Sequence, residues 1–124
     1  DMLRAVVQGG TANRLRFAYN INVDMGGKTG TTNNNADGWF MAVTPNLVSG
    51  CWVGGEDRDI HFDNTSMGQG ASMALPVWAY FMQSVYADKR LGYSKDAKFP
   101  IPAHFNPCQA TDTINVNGIQ EEYF

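Results

Sequence analysis

Apolar residues open the chain on a helical face, with Leu3, Val6 and Val7 recurring at three- and four-residue spacing before Gly9-Gly10 closes the run. That helix is already under way at the first residue, which suggests a piece cut from a larger protein. Thr11 to Asn22 mixes Asn13, Arg14, Arg16, Asn20 and Asn22 without a sustained period and reads as a connecting loop. From Val23 the pattern becomes that of strands. Met25-Gly26-Gly27-Lys28-Thr29-Gly30-Thr31-Thr32 joins β-branched threonines to glycines, a strand with one bare side. Asn33 to Gly38 supplies a turn, and Trp39 to Thr44, the turn Pro45-Asn46 and Leu47 to Val53 complete three strands at hairpin spacing. Short turns between such strands predict an antiparallel meander.

Glu56 to Gln69 is a polar loop, after which Ala74, Trp78, Phe81, Met82 and Val85 mark one helical stripe. Pro76 is tolerated only near a helix start, so this helix begins between Gly70 and Leu75 and runs to about Lys89. About 16 residues at 1.5 Å each span about 24 Å, enough to cover three strands. The expected fold class is therefore α+β: a three-stranded antiparallel meander with a packed C-terminal helix over residues 1–93. Pro100, Pro102 and Pro107 argue against another long element, so 94–124 is expected as an extended tail, draped over the body or loose.

Composition narrows the possibilities without changing that picture. The chain has 124 residues, 44% apolar and 17% charged, the size of one domain. A formal charge of −3 and a sequence pI near 5.1 offer no basic field for phosphates, which argues against nucleic acid. No apolar run approaches the roughly 20 residues of a membrane span, and no charged-then-apolar leader opens the sequence. With 12% aromatic residues and little net charge, the chain can bury enough surface to fold. Cys51 reads as a buried thiol, and a bridge to Cys108 is left open because spacing does not decide connectivity. Glu56-Asp57-Arg58-Asp59 with Asp63 lacks the ligand order of a calcium loop and reads as a solvated turn. His61 and His104 have no partners at ligand spacing, and no metal or cofactor is implied. Trp39, Trp52 and Trp78 are expected in the core of the sheet and its helix.

The dense constellation is Gly26-Gly27-Lys28-Thr29-Gly30-Thr31-Thr32. As a phosphate loop it fails twice. The first glycine of that motif would fall at Asn22, and a turn and strand follow Lys28 where a helix is required. Lys-Thr-Gly is also an element of penicillin-binding proteins and class A β-lactamases. Alternation places the hydroxyls of Thr29 and Thr31 on one strand face and the Lys28 cation on the other, while Gly30 lets a substrate backbone approach. A peptide laid beside this strand would find main-chain partners and a hydroxyl pair for its carboxylate. Lys28 could otherwise be a strand-edge charge that discourages aggregation.

The surrounding blocks extend the match. Met2 to Thr11, Gly27 to Asn34, Asp37-Gly38-Trp39-Phe40, Thr44-Pro45-Asn46-Leu47, Trp52-Val53-Gly54, Gly68 to Ala71 and Pro76-Val77-Trp78 resemble, in order, the C-terminal end of the transpeptidase domain of bifunctional class A penicillin-binding proteins. The likeness covers about Asp1 to Tyr93. It implies part of a β-lactamase/transpeptidase-like fold from a parent that crosslinks peptidoglycan, acylating a serine with D-Ala-D-Ala stem peptides and trapped there by β-lactams. Lys28 would then serve proton movement and substrate binding. Thr29, Gly30 and Thr31 would bind substrate, the threonines holding its terminal carboxylate, and the Thr31 N–H would be one of two oxyanion-hole donors. A glycosyltransferase domain and an inner-membrane anchor, with this domain on the periplasmic side, are implied for the parent, the piece itself being expected soluble.

The nucleophile of that family is missing here. No serine of the chain has a lysine three positions on, and none begins Ser-x-Asn. Both elements precede Lys-Thr-Gly in whole family members, so truncation accounts for their absence and the chain alone is expected to be inactive. Its expected partners are the missing N-terminal part of the same domain and, through the edge strand 47–53, a second copy. The alternative is a non-catalytic module that binds through the same sheet.

Overall fold

The computed structural model describes residues 2–101 and the backbone of two short strands, Ile114–Val116 and Ile119–Glu121. Helix α1 (Met2–Gln8) and the helical turn α2 (Arg14–Phe17) lead into β1 (Gly26–Thr31), β2 (Asp37–Val43) and β3 (Val48–Gly54). A short α3 (Thr65–Gly68) precedes the long α4 (Gly70–Ala87). The strands form an antiparallel sheet in the order β1-β2-β3, with Lys28 opposite Met41 and Trp39 opposite Trp52.

Strand alternation decides what each face carries. Phe40 and Ala42 turn inward and are buried, with Cys51 and Val53 packed beside them. Against them lies α4, which buries Ala71, Ala74, Leu75, Trp78, Ala79, Met82 and Val85. Trp78 meets Phe40 edge to face at 5.0 Å between ring centres, and its indole N–H donates to Ser49 Oγ at 2.8 Å. Since Phe40 points inward, its neighbour Trp39 must point outward. Trp39 and Trp52 are 47% and 46% exposed, so of the three tryptophans only Trp78 is core.

Other departures have local causes. Arg14–Phe17 forms one helical turn where a loop is expected, because Leu15 is fully buried and the Arg14 guanidinium donates to the Ala71 carbonyl. Within the polar loop, Asn64 caps α3 by accepting from the Met67 N–H. Pro76 stands in the second turn of α4, further inside than its missing N–H suggests, with buried residues on both sides of it. Phe81, expected on the stripe, is 51% exposed, while Leu75 and Ala79 take up the buried face. Ile114–Val116 pairs with Ile119–Glu121 in a hairpin the proline spacing does not reveal. Residues 94–101 run along the body, where the Phe99 N–H donates to Asp24. The remainder of the expected tail, with Cys108 and His104, lies outside the described residues.

Candidate active site

The turn that ends β1 is built by asparagines. Asn34 and Asn35 adopt positive φ, which asparagine tolerates better than most residues, and return the chain into β2 within five residues of Thr32. Thr32 closes this turn: its N–H donates to the Asp37 carbonyl at 3.0 Å, and its hydroxyl accepts from the Asp37 N–H. That bond sets the phase of the ladder. With Thr32 bonded to Asp37, the mutually bonded pairs of β1 and β2 are Gly30 with Trp39 and Lys28 with Met41. The N–H and C=O groups of Thr29 and Thr31 therefore point away from β2, toward the outer edge of β1. Among the described residues no further strand pairs with that edge.

The side chains at the motif divide by the same alternation. Lys28 lies on the outer face and is exposed, its ammonium donating to the Thr29 carbonyl at 2.9 Å. Gly30 follows on that face; a methyl group added there would touch only Trp39 Cβ, at 3.5 Å, so the strand is open beside the lysine. Thr29 and Thr31 turn the other way. Thr29 Oγ1 shares a hydrogen bond of 3.1 Å with Thr11 Oγ1, and Thr31 Oγ1 accepts from the Gly70 N–H, the first of α4, at 2.9 Å. The two hydroxyls thus already have partners from distant parts of the chain. The cation and the hydroxyls thus lie on opposite faces of β1, and what they flank in common is the strand edge toward which the Thr29 and Thr31 amide groups point.

Two supports hold this strand in place. At its start, α1 lies so close that a side chain at Gly26 would meet Leu3 Cβ at 2.9 Å. At its end, Gly70 sits against the backbone: a Cβ there would fall 2.3 Å from the Gly30 carbonyl oxygen and 2.5 Å from that of Trp39. Only glycine allows α4 to begin there. Neither Thr11 nor Gly70 emerges from the motif itself, and the signal that could have found them is their place in the Gly-Gly-Thr and Gly-Gln-Gly blocks flanking it.

Away from the strand, the groups considered for metal chemistry stay apart. Asp57 accepts from the Asp59 N–H, and His61 Nδ1 lies 3.2 Å from the Phe62 carbonyl; among the described residues no three potential ligands gather. Cys51 is a half-buried free thiol whose pKa burial pushes up, which makes it a poor nucleophile. No helix among the described residues is long and apolar enough to cross a membrane.

No family model matches the chain. Individual relatives do. Penicillin-binding protein 1A of Aquifex aeolicus is 37% identical over 97% of this chain, and that of Pseudomonas aeruginosa is 34% identical over 72%. The chain spans only 17% and 10% of the lengths of these two proteins. The crystal structure of penicillin-binding protein 1A from Haemophilus influenzae superimposes on 82% of the chain with a TM-score of 0.62 and 27% identity, over 15% of the crystallised chain. A meander edged by Lys-Thr-Gly-Thr and backed by a long helix, with these relatives, places the chain in the penicillin-binding protein family. Within that family, the relatives it matches are penicillin-binding proteins 1A.

Proposed function

We propose that this chain is the Lys-Thr-Gly half of a serine-type D,D-transpeptidase site whose nucleophile belongs to another part of a longer protein. The observation that carries the reading is the orientation of β1: the amide groups of Thr29 and Thr31 face the unpaired edge, with Lys28 and two threonine hydroxyls flanking it. An extended stem peptide ending in D-Ala-D-Ala would add to this edge as a further strand, its scissile carbonyl accepting from the Thr31 N–H. Thr29 and Thr31 would direct their hydroxyl hydrogens to its terminal carboxylate. Lys28, reaching round the bare outer side at Gly30, would stabilise the serine in its deprotonated form and assist proton transfer to the departing D-Ala amine. The serine oxygen would attack the carbonyl, break the D-Ala-D-Ala amide and hold the acyl group until a neighbouring amine takes it. A β-lactam would enter the same way and remain as the acyl-enzyme. A glycosyltransferase domain, a membrane anchor and a periplasmic setting belong to the same proposal for the longer protein.

The test is covalent labelling with a fluorescent penicillin. The intact protein should form a stable one-to-one adduct, and Lys28→Ala should slow its formation by about 10²- to 10⁴-fold, the usual contribution of a positioned acid-base group. The 124-residue chain alone should form none. Stoichiometric labelling of the isolated chain, or full-rate labelling of the Lys28→Ala protein, would refute the assignment.

A further inference from the structure

Thr11 stands at the turn after α1, 18 positions before Thr29, yet the two hydroxyl oxygens are 3.1 Å apart and exposed. Its position is fixed from below. The next residue, Ala12, is fully buried, and the Ala12 N–H donates to the Val6 carbonyl at 3.2 Å, so the Thr11 backbone is tied to the end of α1. α1 in turn presses on the start of β1 through Leu3 and Gly26. Helix, turn and strand thus form one frame that delivers the Thr11 hydroxyl to the motif threonine.

The count of hydrogens gives this contact a consequence. Two hydroxyls carry two donor hydrogens, and their mutual bond uses one. A carboxylate accepts and never donates, so beside such a ligand the arrangement that gains most has Thr11 donating to Thr29 and Thr29 donating outward. We propose that Thr11 is a positioning residue of the substrate-binding edge: it fills a lone pair of Thr29 Oγ1 and so turns the Thr29 hydrogen toward the carboxylate of the bound peptide or β-lactam. This inference rests on the transpeptidase reading above. Thr31 receives equivalent treatment from the Gly70 N–H, which occupies its hydroxyl oxygen and leaves its hydrogen to donate. With a carboxylate bound, both motif hydroxyls then act as donors to it, Thr29 with its oxygen filled by Thr11 and Thr31 with its oxygen filled by the Gly70 N–H.

The experiment uses the intact protein and resolves fluorescent-penicillin acylation into the apparent dissociation constant of the first complex and the rate constant of the acylation step. Thr11→Val should weaken the first complex by about three- to ten-fold, the range for one neutral hydrogen bond, with the acylation step within about twofold of the parent. Thr11→Ser should restore binding. In a Thr29→Ala background, Thr11→Val should add no further loss, because its only route to the ligand is gone. An unchanged dissociation constant in Thr11→Val, an equal loss in both backgrounds, or a Thr11→Ser protein as weak as Thr11→Val would overturn the proposal. Should Thr11→Val fail to fold, Thr11→Ala is read by the same criteria. Labelling of the unsubstituted protein separates the two levels: if it takes up no penicillin the site assignment falls and this proposal with it, whereas normal uptake with an indifferent Thr11 removes only the positioning role.

Discussion

Asp24 joins three parts of the chain that are distant in sequence. It sits just before β1, ion-paired with Arg4 of α1 and accepting from the Phe99 N–H of the terminal segment at 3.1 Å. Burial alone would raise the pKa of its carboxyl, but the Phe99 N–H, the Arg4 hydrogen bond and the positive charges of Arg4 and Lys98 prevail and hold it below the ordinary 3.8. A carboxyl depressed by folding stabilises the native state above its unfolded pKa, and that contribution is lost as the pH falls through the lower, folded value. Asp24→Asn should therefore lower stability at neutral pH and flatten the acid limb below about pH 4. Urea unfolding at pH 7 and pH 3 checks this, and an unaltered acid limb would contradict it. At the motif, the identities of Lys28, Thr29, Gly30 and Thr31 and their division between faces follow from the sequence, since alternation is a property of any strand. Their partners do not. Nothing local to Thr29 or Thr31 indicates that one bonds to Thr11 and the other to the first amide of a helix 39 residues downstream.

Packing of α4 on the meander turns on the contact among Trp78, Phe40 and Ser49. Trp78 is 1% exposed, and its indole N–H has Ser49 Oγ as its acceptor. Ser49→Ala should strand that donor in an apolar interior and cost about 1–3 kcal/mol, whereas Ser49→Thr keeps the hydroxyl and should cost less. Denaturant midpoints of the two variants decide the matter. The helix itself was legible from its apolar stripe, and so were the three strands, whose observed limits lie within a residue or two of those expected. α2, one turn long, was not. A helix that short gains too little from its own hydrogen bonds to leave a pattern, and forms here because Leu15 and Arg14 find tertiary partners.

Across the whole molecule, the two faces of the sheet have unequal fates. α4 covers one, and the other leaves Trp39, Met41, Val43, Val48 and Trp52 exposed beside the edge of β3. So much contiguous apolar surface, next to a strand edge with which no further strand pairs among the described residues, favours association. The isolated chain should sediment as a concentration-dependent mixture, and Val48→Lys with Trp52→Lys should shift it toward monomer. Monomers alone at high concentration would count against that expectation. In the longer protein, the proposal has other parts of the same domain occupy this face and edge. The order of elements, the three strands, the long helix and the Lys-Thr-Gly-Thr edge were settled by the sequence, because periodicity, turn residues and motif spacing are local or nearly so. Which tryptophans are buried, what fastens the two motif hydroxyls, and where Asp24 anchors the terminal segment were decided only by the tertiary structure. Those outcomes depend on which residues meet across the fold, and the local pattern around one position does not say which distant residue it will meet.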